Sequence, residues 1–371
     1  MPIRLLFSAR DPGAVGFLVP IIDACKLDNR FALSIIASEP ALHLLRSLGK
    51  SVADFPATKT NSNTKIESIH LQLVSDARFI LEQTKPDVVI TSSSSQGVGI
   101  DEALLAASNV PTITIQDFWG DVNLGLNSTA SIYLVIDEMA ANMSKERWGV
   151  STIAVGSCKY TRYEQMNIDA LRSFTRLELG LAEDQLLVGF FGQNPEIPGH
   201  EEAFRDLIRV LSKMTTHPTL LIREHPKFPN NTNHDGMLNE MGITAINVTN
   251  KGEVEPWLSA CDIVTTCYSY VSIDHAYLSS KAHDPIGTVL FLLHHKSTRQ
   301  YMKQTTGLSS LPTVIQGIGS EAKHKDDIKS LLTKADVAHE KLLYHKASQK
   351  LKTENCVPRI LDIIAKTGNP L

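Results

Sequence analysis

Arg223, His225 and Lys227 fall within one five-residue run, Arg223-Glu224-His225-Pro226-Lys227, directly after the apolar stretch 219–222. Two cations and an imidazole at a strand end suit the departing oxygens of a monophosphate or diphosphate. Arg and Lys supply charge-assisted hydrogen bonds, and His adds a further donor. Pro226 cannot donate to a sheet ladder, so the strand must stop there and leave the cluster at the sheet's carboxyl edge. An exposed turn with incidental charge is the plainer alternative. A second run, from Thr265 through Ser269 and Ser272 to Asp274 and His275, also leaves an apolar strand and enters a helix. Ser272 reads as its N-cap. The open N–H groups of a helix start form an anion site, and Asp274 in the first turn could accept hydrogen bonds from ribose hydroxyls. Simple capping without a ligand explains this run equally well.

Acid–base candidates lie in the earlier part of the chain. The loop Ser8-Ala9-Arg10-Asp11-Pro12-Gly13 separates a strand from a helix. Gly13 would let the backbone approach a ligand, and Asp11 is the first choice for a general base toward a hydroxyl. Asp11 could equally cap the helix through an Asp-Pro turn. Gln116-Asp117-Phe118-Trp119-Gly120-Asp121 combines carboxylates with ring faces suited to sugars. It makes Asp117 the competing base, unless the rings are core and the acids solvated. The amides of Gln193 and Asn194, after the stretch 186–191, could read a nucleobase or phosphate, although such a turn needs no ligand. Asp137-Glu138 reads as a helix cap. His200, His217, His294 and His295 sit among polar neighbours and read as solvent-side, without metal-ligand spacing. No metal and no cofactor are expected.

These residues need an α/β scaffold to position them. Strands are expected over 4–8, 32–37, 87–92, 112–116, 132–136 and 152–155, then over 186–191, 219–223, 245–248, 262–265 and 288–293. Helices alternate with them, as in Ile69, Leu71, Val74, Ala77 and Leu81 at helical spacing. This predicts two Rossmann-like doubly wound domains with a ligand cleft at the carboxyl ends of their strands. The domains are expected over 1–165 on the acceptor side and 166–345 on the nucleotide side, with a C-terminal helix over 346–371 packing back on the first.

The run 223–227 resembles the His-Pro motif of bacterial sialyltransferases, polysialyltransferases and glycerophosphate transferases of wall-polymer synthesis. Ser269 or Ser272 resembles their serine motif. The order of segments resembles the UDP-N-acetylglucosamine 2-epimerases and their glycosyltransferase relatives of the GT-B fold. The matching segments are Pro86 to Ile90, then Ala103 to Ala107, Val110 to Ile113, and Ile153-Ala154-Val155-Gly156-Ser157. The resemblance implies that Arg223, His225, Pro226, Lys227 and Ser269 or Ser272 hold the phosphates of a CMP- or UDP-linked sugar, while Gly13, Gln193, Asn194 and Asp274 join this binding set on the residue readings given above. His225 would join Asp11 or Asp117 in catalysis by stabilising the departing phosphate. Thr91-Ser92-Ser93-Ser94 replaces the epimerases' Gly-Asp-Thr, Gly192-Gln193-Asn194 their His-Arg, and Ser269-Tyr270-Val271 their Ser-Gly-Gly. These departures favour transfer to a glycan acceptor in surface-polysaccharide synthesis over epimerisation, hydrolysis or binding without turnover.

Composition removes other classes. With 36 basic against 40 acidic residues and a net charge of -4, the chain lacks a nucleic-acid footprint. No apolar run approaches a membrane span, so a cytoplasmic protein is expected, compatible with peripheral membrane association. Five scattered cysteines disfavour a disulfide framework and read as buried thiols.

Overall fold

Leu5, Leu6 and Phe7 in β1 (Ile3–Ala9) and all five residues of β4 (Val88–Ser92) are buried. Such continuous apolar runs mark strands covered on both faces. The computed structural model describes residues 1–55, 66–93, 97–215, 218–225, 228–229, 234–332, 334–351 and 354–369. Two units emerge: unit 1 comprises Met1–Thr161 and Lys352–Leu371, and unit 2 comprises Arg162–Leu351.

In unit 1, β1 is followed by α1 (Pro12–Leu27), β2 (Phe31–Ala37), α2 (Ala41–Ser47), β3 (Ala53–Asp54) and α3 (Ile66–Thr84). After β4 come α4 (Ile100–Ala107), β5 (Thr112–Ile115), β6 (Ile132–Val135), α5 (Glu138–Trp148) and β7 (Thr152–Ala154). The strands form one parallel sheet in the order β3-β2-β1-β4-β5-β6-β7. The order reverses between β1 and β4, and ligands of open α/β sheets bind outside the carboxyl ends at such a point.

Unit 2 repeats the plan. It contains α6 (Ile168–Glu178), β8 (Leu187–Phe191), α7 (His200–Ser212), β9 (Thr219–Arg223), α8 (His234–Met241), β10 (Ala245–Asn247) and α9 (Glu255–Ala260). There follow β11 (Ile263–Thr266), α10 (Val271–Lys281), β12 (Thr288–Leu292), α11 (Lys296–Thr306), α12 (Pro312–Ile315), β13 (Ser320–Ala322), α13 (Lys325–Ser330) and α14 (Lys334–Ser348). Its parallel sheet runs β10-β9-β8-β11-β12-β13, with the reversal between β8 and β11. The last helix, α15 (Val357–Gly368), belongs to unit 1. It packs there closely enough that a Cβ on Gly368 would stand 2.5 Å from Ile3 Cγ2. All five cysteines are buried and free. Among the described residues no helix is long and apolar enough to cross a membrane.

The short edge strands β3 and β13 escape a sequence reading. They hold two and three residues and are ordered by pairing with β2 and β12 rather than by an apolar pattern of their own. The solvent-side expectation for His200 and His294 is corrected. His200 opens α7 and is 1% exposed, packed on Phe190 at 5.6 Å between ring centroids. The His294 side chain is also 1% exposed, turned onto Asp206 of α7.

Burial, with His234 as a second cause, pulls the His200 imidazole down to about 4. The folded unit therefore refuses a proton that the unfolded chain accepts below about 6.5. This makes stability complete above that pH and lost progressively as pH falls toward 4, by on the order of 3 kcal/mol. Urea midpoints measured from pH 7.5 to 4.5 should fall less steeply in His200→Phe than in wild type. Parallel curves would contradict the assignment.

Candidate functional site

In unit 1 the groups that could do chemistry gather at the carboxyl ends of β1, β4 and β5. Asp11 is the N-cap of α1, its Oδ1 accepting from Gly13 N at 3.0 Å, with Pro12 in the first turn. A Cβ on Gly13 would meet only Asp11 Oδ1, at 3.5 Å. The packing of unit 1 therefore does not require glycine there. Arg10 turns toward α4. Its Nε lies 3.3 Å from Glu102 Oε2, and its Nη2 donates to Gly97 O at 3.2 Å. Gly99 makes room for it, since a Cβ there would stand 2.4 Å from Arg10 Cδ. The Ser8 hydroxyl donates to buried Asp101, and Glu102 also accepts from Asn123 Nδ2 at 2.8 Å. Ser92 ends β4 and Ser93 follows it, both buried, whereas Ser94 lies outside the described residues.

Asp117 and Asp121 follow β5 in a loop that Gln116 secures, its Nε2 donating to Asp121 O and Ser144 Oγ, each at 2.9 Å. Burial first, then the negative charges of Asp121 and Asp11, push the Asp117 carboxyl up to about 8, against a smaller opposing pull from Lys159. Burial also raises Asp121, to about 6, against the pull of Arg147 and Arg10. Both carboxyl groups are thus raised by burial, and Asp117 is raised further by the charges of Asp121 and Asp11. Carboxyls raised in this way keep a proton that an exposed carboxylate would lose, which makes the pair a candidate for acid–base work. Trp119 does not offer a sugar-stacking face. It is 2% exposed, and its Nε1 donates to Asp137 Oδ1 at 3.0 Å, while Asp137 caps α5 through Ala140 N at 2.7 Å. Phe118 is half-buried and meets Trp119 edge-on.

In unit 2 the reversal point is bounded by the ends of β8 and β11. Gln193 Oε1 accepts from Tyr268 N at 2.6 Å and from Thr266 Oγ1 at 3.4 Å, joining the two strand ends. Asn194 Oδ1 accepts from Glu196 N at 3.0 Å. Gly192 lets β8 and β9 close up, since a Cβ there would stand 2.7 Å from Glu224 Oε2. At the end of β9, Arg223 donates to the carbonyls of Val248 at 3.3 Å, Lys251 at 3.2 Å and Gly252 at 2.7 Å. His225 is half-buried with its ring 5.5 Å from Phe228, while Glu224 turns inward onto His234. Pro226 and Lys227 lie outside the described residues, as does His217. After β11, Ser269 Oγ accepts from Val271 N at 3.4 Å. The N-cap expectation for Ser272 is corrected. Tyr270 is the cap of α10, and Ser272 sits inside the first turn, 3% exposed, its Oγ donating back to Ser269 O at 2.8 Å. Asp274 is 7% exposed in the same turn.

Sequence reading missed the partners of Arg10. Glu102 and Asp101 lie more than ninety residues away, and only the sheet order brings α4 beside the β1 loop. Asp121 stood in the sequence only as one of the carboxylates of the run 116–121 and not as a candidate, because the burial that raises both carboxyls leaves no local signal.

No protein-family model and no curated protein sequence matches the chain. Solved structures do. UDP-GlcNAc 2-epimerase from Neisseria meningitidis, solved with UDP-GlcNAc, is 14% identical with a TM-score of 0.67, over 99% of this chain and 100% of that one. The MnaA–UDP structure from S. aureus is 12% identical with a TM-score of 0.68, over 98% and 96%. A glycosyltransferase from Rickettsia africae is 11% identical with a TM-score of 0.61, over all of both chains. At these identities the likeness establishes two Rossmann-like units in series, the fold these enzymes share.

Proposed function

We propose that the chain is an enzyme acting on a nucleotide-activated sugar, and that it rearranges this sugar without an acceptor, as a 2-epimerase does. The observation that carries the reading is the Asp117–Asp121 pair in the loop that follows β5 and that Gln116 secures, where burial raises both carboxyls and the charges of Asp121 and Asp11 raise Asp117 further. Inverting a carbon next to the anomeric centre needs a base to take its proton and an acid to return one on the other face. In the step we assign, the ionised carboxylate of Asp121 removes the C2 proton. The electron pair forms a C1–C2 double bond, and the C1–O bond breaks with its electrons leaving on the nucleotide diphosphate. Protonated Asp117 then delivers its proton to C2 as the diphosphate oxygen re-forms the bond to C1. Asp11 adds negative charge that keeps Asp117 protonated.

The nucleotide belongs to unit 2 in this reading, with His225 and Ser269 as its phosphate donors. Arg223 serves the same end indirectly by holding the 248–252 loop through its carbonyls. UDP is the favoured nucleotide, because the epimerase and MnaA structures named above were solved with UDP-GlcNAc and UDP. Titration calorimetry with UDP and CMP tests this half. His225→Ala should weaken the preferred nucleotide by roughly tenfold, the value of one hydrogen bond to a charged group. Gly13→Ala should keep the wild-type melting temperature, since a Cβ there meets only Asp11 Oδ1 at 3.5 Å, yet slow turnover of a nucleotide sugar that approaches the backbone at this point. Unaltered turnover in the glycine variant would remove the β1 loop from the site.

Transfer to a glycan hydroxyl is the second reading, favoured by the departures at 192–194 and by the glycosyltransferase neighbour. Donor incubated alone separates the two, since a transferase leaves it largely intact.

A further inference from the structure

Asp206 of α7 is the meeting point of groups from three elements. His294 Nε2 lies 3.1 Å and His295 Nε2 3.0 Å from its Oδ2, both imidazoles arriving from the end of β12. Lys325, the first residue of α13, brings its ammonium to 2.9 Å from the same oxygen, and Arg209 Nη1 lies 2.9 Å from Oδ1. One nitrogen of each imidazole and one carboxylate oxygen lie within 4.8 Å of one another.

We propose that Asp206, His294 and His295 form a binding site for a divalent ion of the zinc class. This inference is independent of the nucleotide-sugar reading. Two imidazole nitrogens with one carboxylate oxygen suit Zn²⁺, Co²⁺ or Ni²⁺, whereas Mg²⁺ and Ca²⁺ prefer oxygen ligands. The spacing is close to what such an ion needs. In a tetrahedron with bonds of about 2.0 Å, neighbouring ligand atoms stand roughly 3.3 Å apart; the two histidine–carboxylate edges, 3.0 and 3.1 Å, are near this, and the imidazole nitrogens lie within 4.8 Å of each other. The ion enters between atoms that already converge, and its fourth position is left to water. The Lys325 ammonium is the competing cation. Its side chain is 60% exposed on a helix start, so it can swing into solvent, whereas the Asp206 and His294 side chains are 6% and 1% exposed and stay in place. Occupancy ties the end of β12 to α7 and stabilises unit 2. Sequence reading expected no metal because the ligands stand 88 and 89 residues apart and form no spacing motif.

The test uses the full chain without an affinity tag, stripped by chelator and titrated with ZnCl₂ by calorimetry, with CoCl₂ absorption as a report on geometry. One equivalent should bind with a micromolar constant and raise the melting temperature, and MgCl₂ should do neither. Loss of outer-sphere partners alone typically costs about 10–100-fold in metal affinity, so His295→Ala should lose on the order of 100-fold. Lys325→Ala should bind more tightly than wild type. His283→Ala, at an exposed histidine away from the cluster, should bind as wild type does. His295 is half-buried and Lys325 exposed, so both variants should fold. No binding at 100-fold excess zinc, or equal affinity in wild type and His295→Ala, would overturn the site.

Discussion

Asp117→Asn should lower kcat by about 10²–10⁴ while leaving nucleotide affinity within about twofold of wild type. An amide keeps the shape of the side chain and removes only its proton chemistry. Positioned acid–base groups typically contribute about 10²–10⁴ in rate, and a loss of that size in kcat is expected. The same substitution has a stability signature. The folded protein holds a proton on Asp117 up to about 8, whereas the unfolded carboxyl releases it near the usual 3.8. Folding therefore takes up a proton across that window, and stability falls as pH rises from about 4 to 8. An amide is neutral throughout, so Asp117→Asn should melt higher than wild type at pH 8, with the advantage shrinking toward pH 4.5. A variant that lost activity but melted below wild type at pH 8 would mark Asp117 as structural instead.

Asp262→Ala should cost unit 2 about 3–5 kcal/mol, the range for breaking a buried ion pair by removing one partner. Three cations converge on this carboxylate: Arg172 at 2.6 Å, Arg176 at 3.2 Å and Lys341 at 3.0 Å. Its Oδ2 also accepts from Leu187 N at 2.9 Å, at the start of β8. Burial opposes ionisation of Asp262, but Lys341 and Arg172 outweigh it and hold the carboxyl below its ordinary range. Removing it strands the cations among carbonyls of Ser259, Ala260 and Cys261, which can share but not cancel their charge. Urea unfolding measures the cost. A difference under about 1 kcal/mol would place the group among surface pairs.

The central strands were legible because burial on both faces forces apolar runs: β1, β4, β8, β9, β11 and β12 fall within a residue or two of expectation. The edge strands were not, since Ala53–Asp54 and Ser320–Ala322 take their order from a neighbouring strand. The strand-end loops carrying Asp11, Asp117, Gln193, His225 and Ser269 were legible for the same reason as the strands. What each side chain does there was not. Asp11 caps α1, Gln193 spends its oxygen joining β8 to β11, and Trp119 turns into the core to reach Asp137. Groups assembled from distant segments left no local signal, as with Arg10 and Glu102 or Asp206 and His294.

Proton chemistry on a nucleotide sugar without an acceptor, as proposed above, leaves an isotopic trace in the product. Proton NMR of UDP-GlcNAc incubated with the protein alone in D₂O tests it most directly. A second sugar epimer carrying deuterium at the inverted carbon is expected with wild type, and far less of it with Asp117→Asn. An unchanged donor under these conditions, turned over only when a glycan acceptor is added, would contradict it.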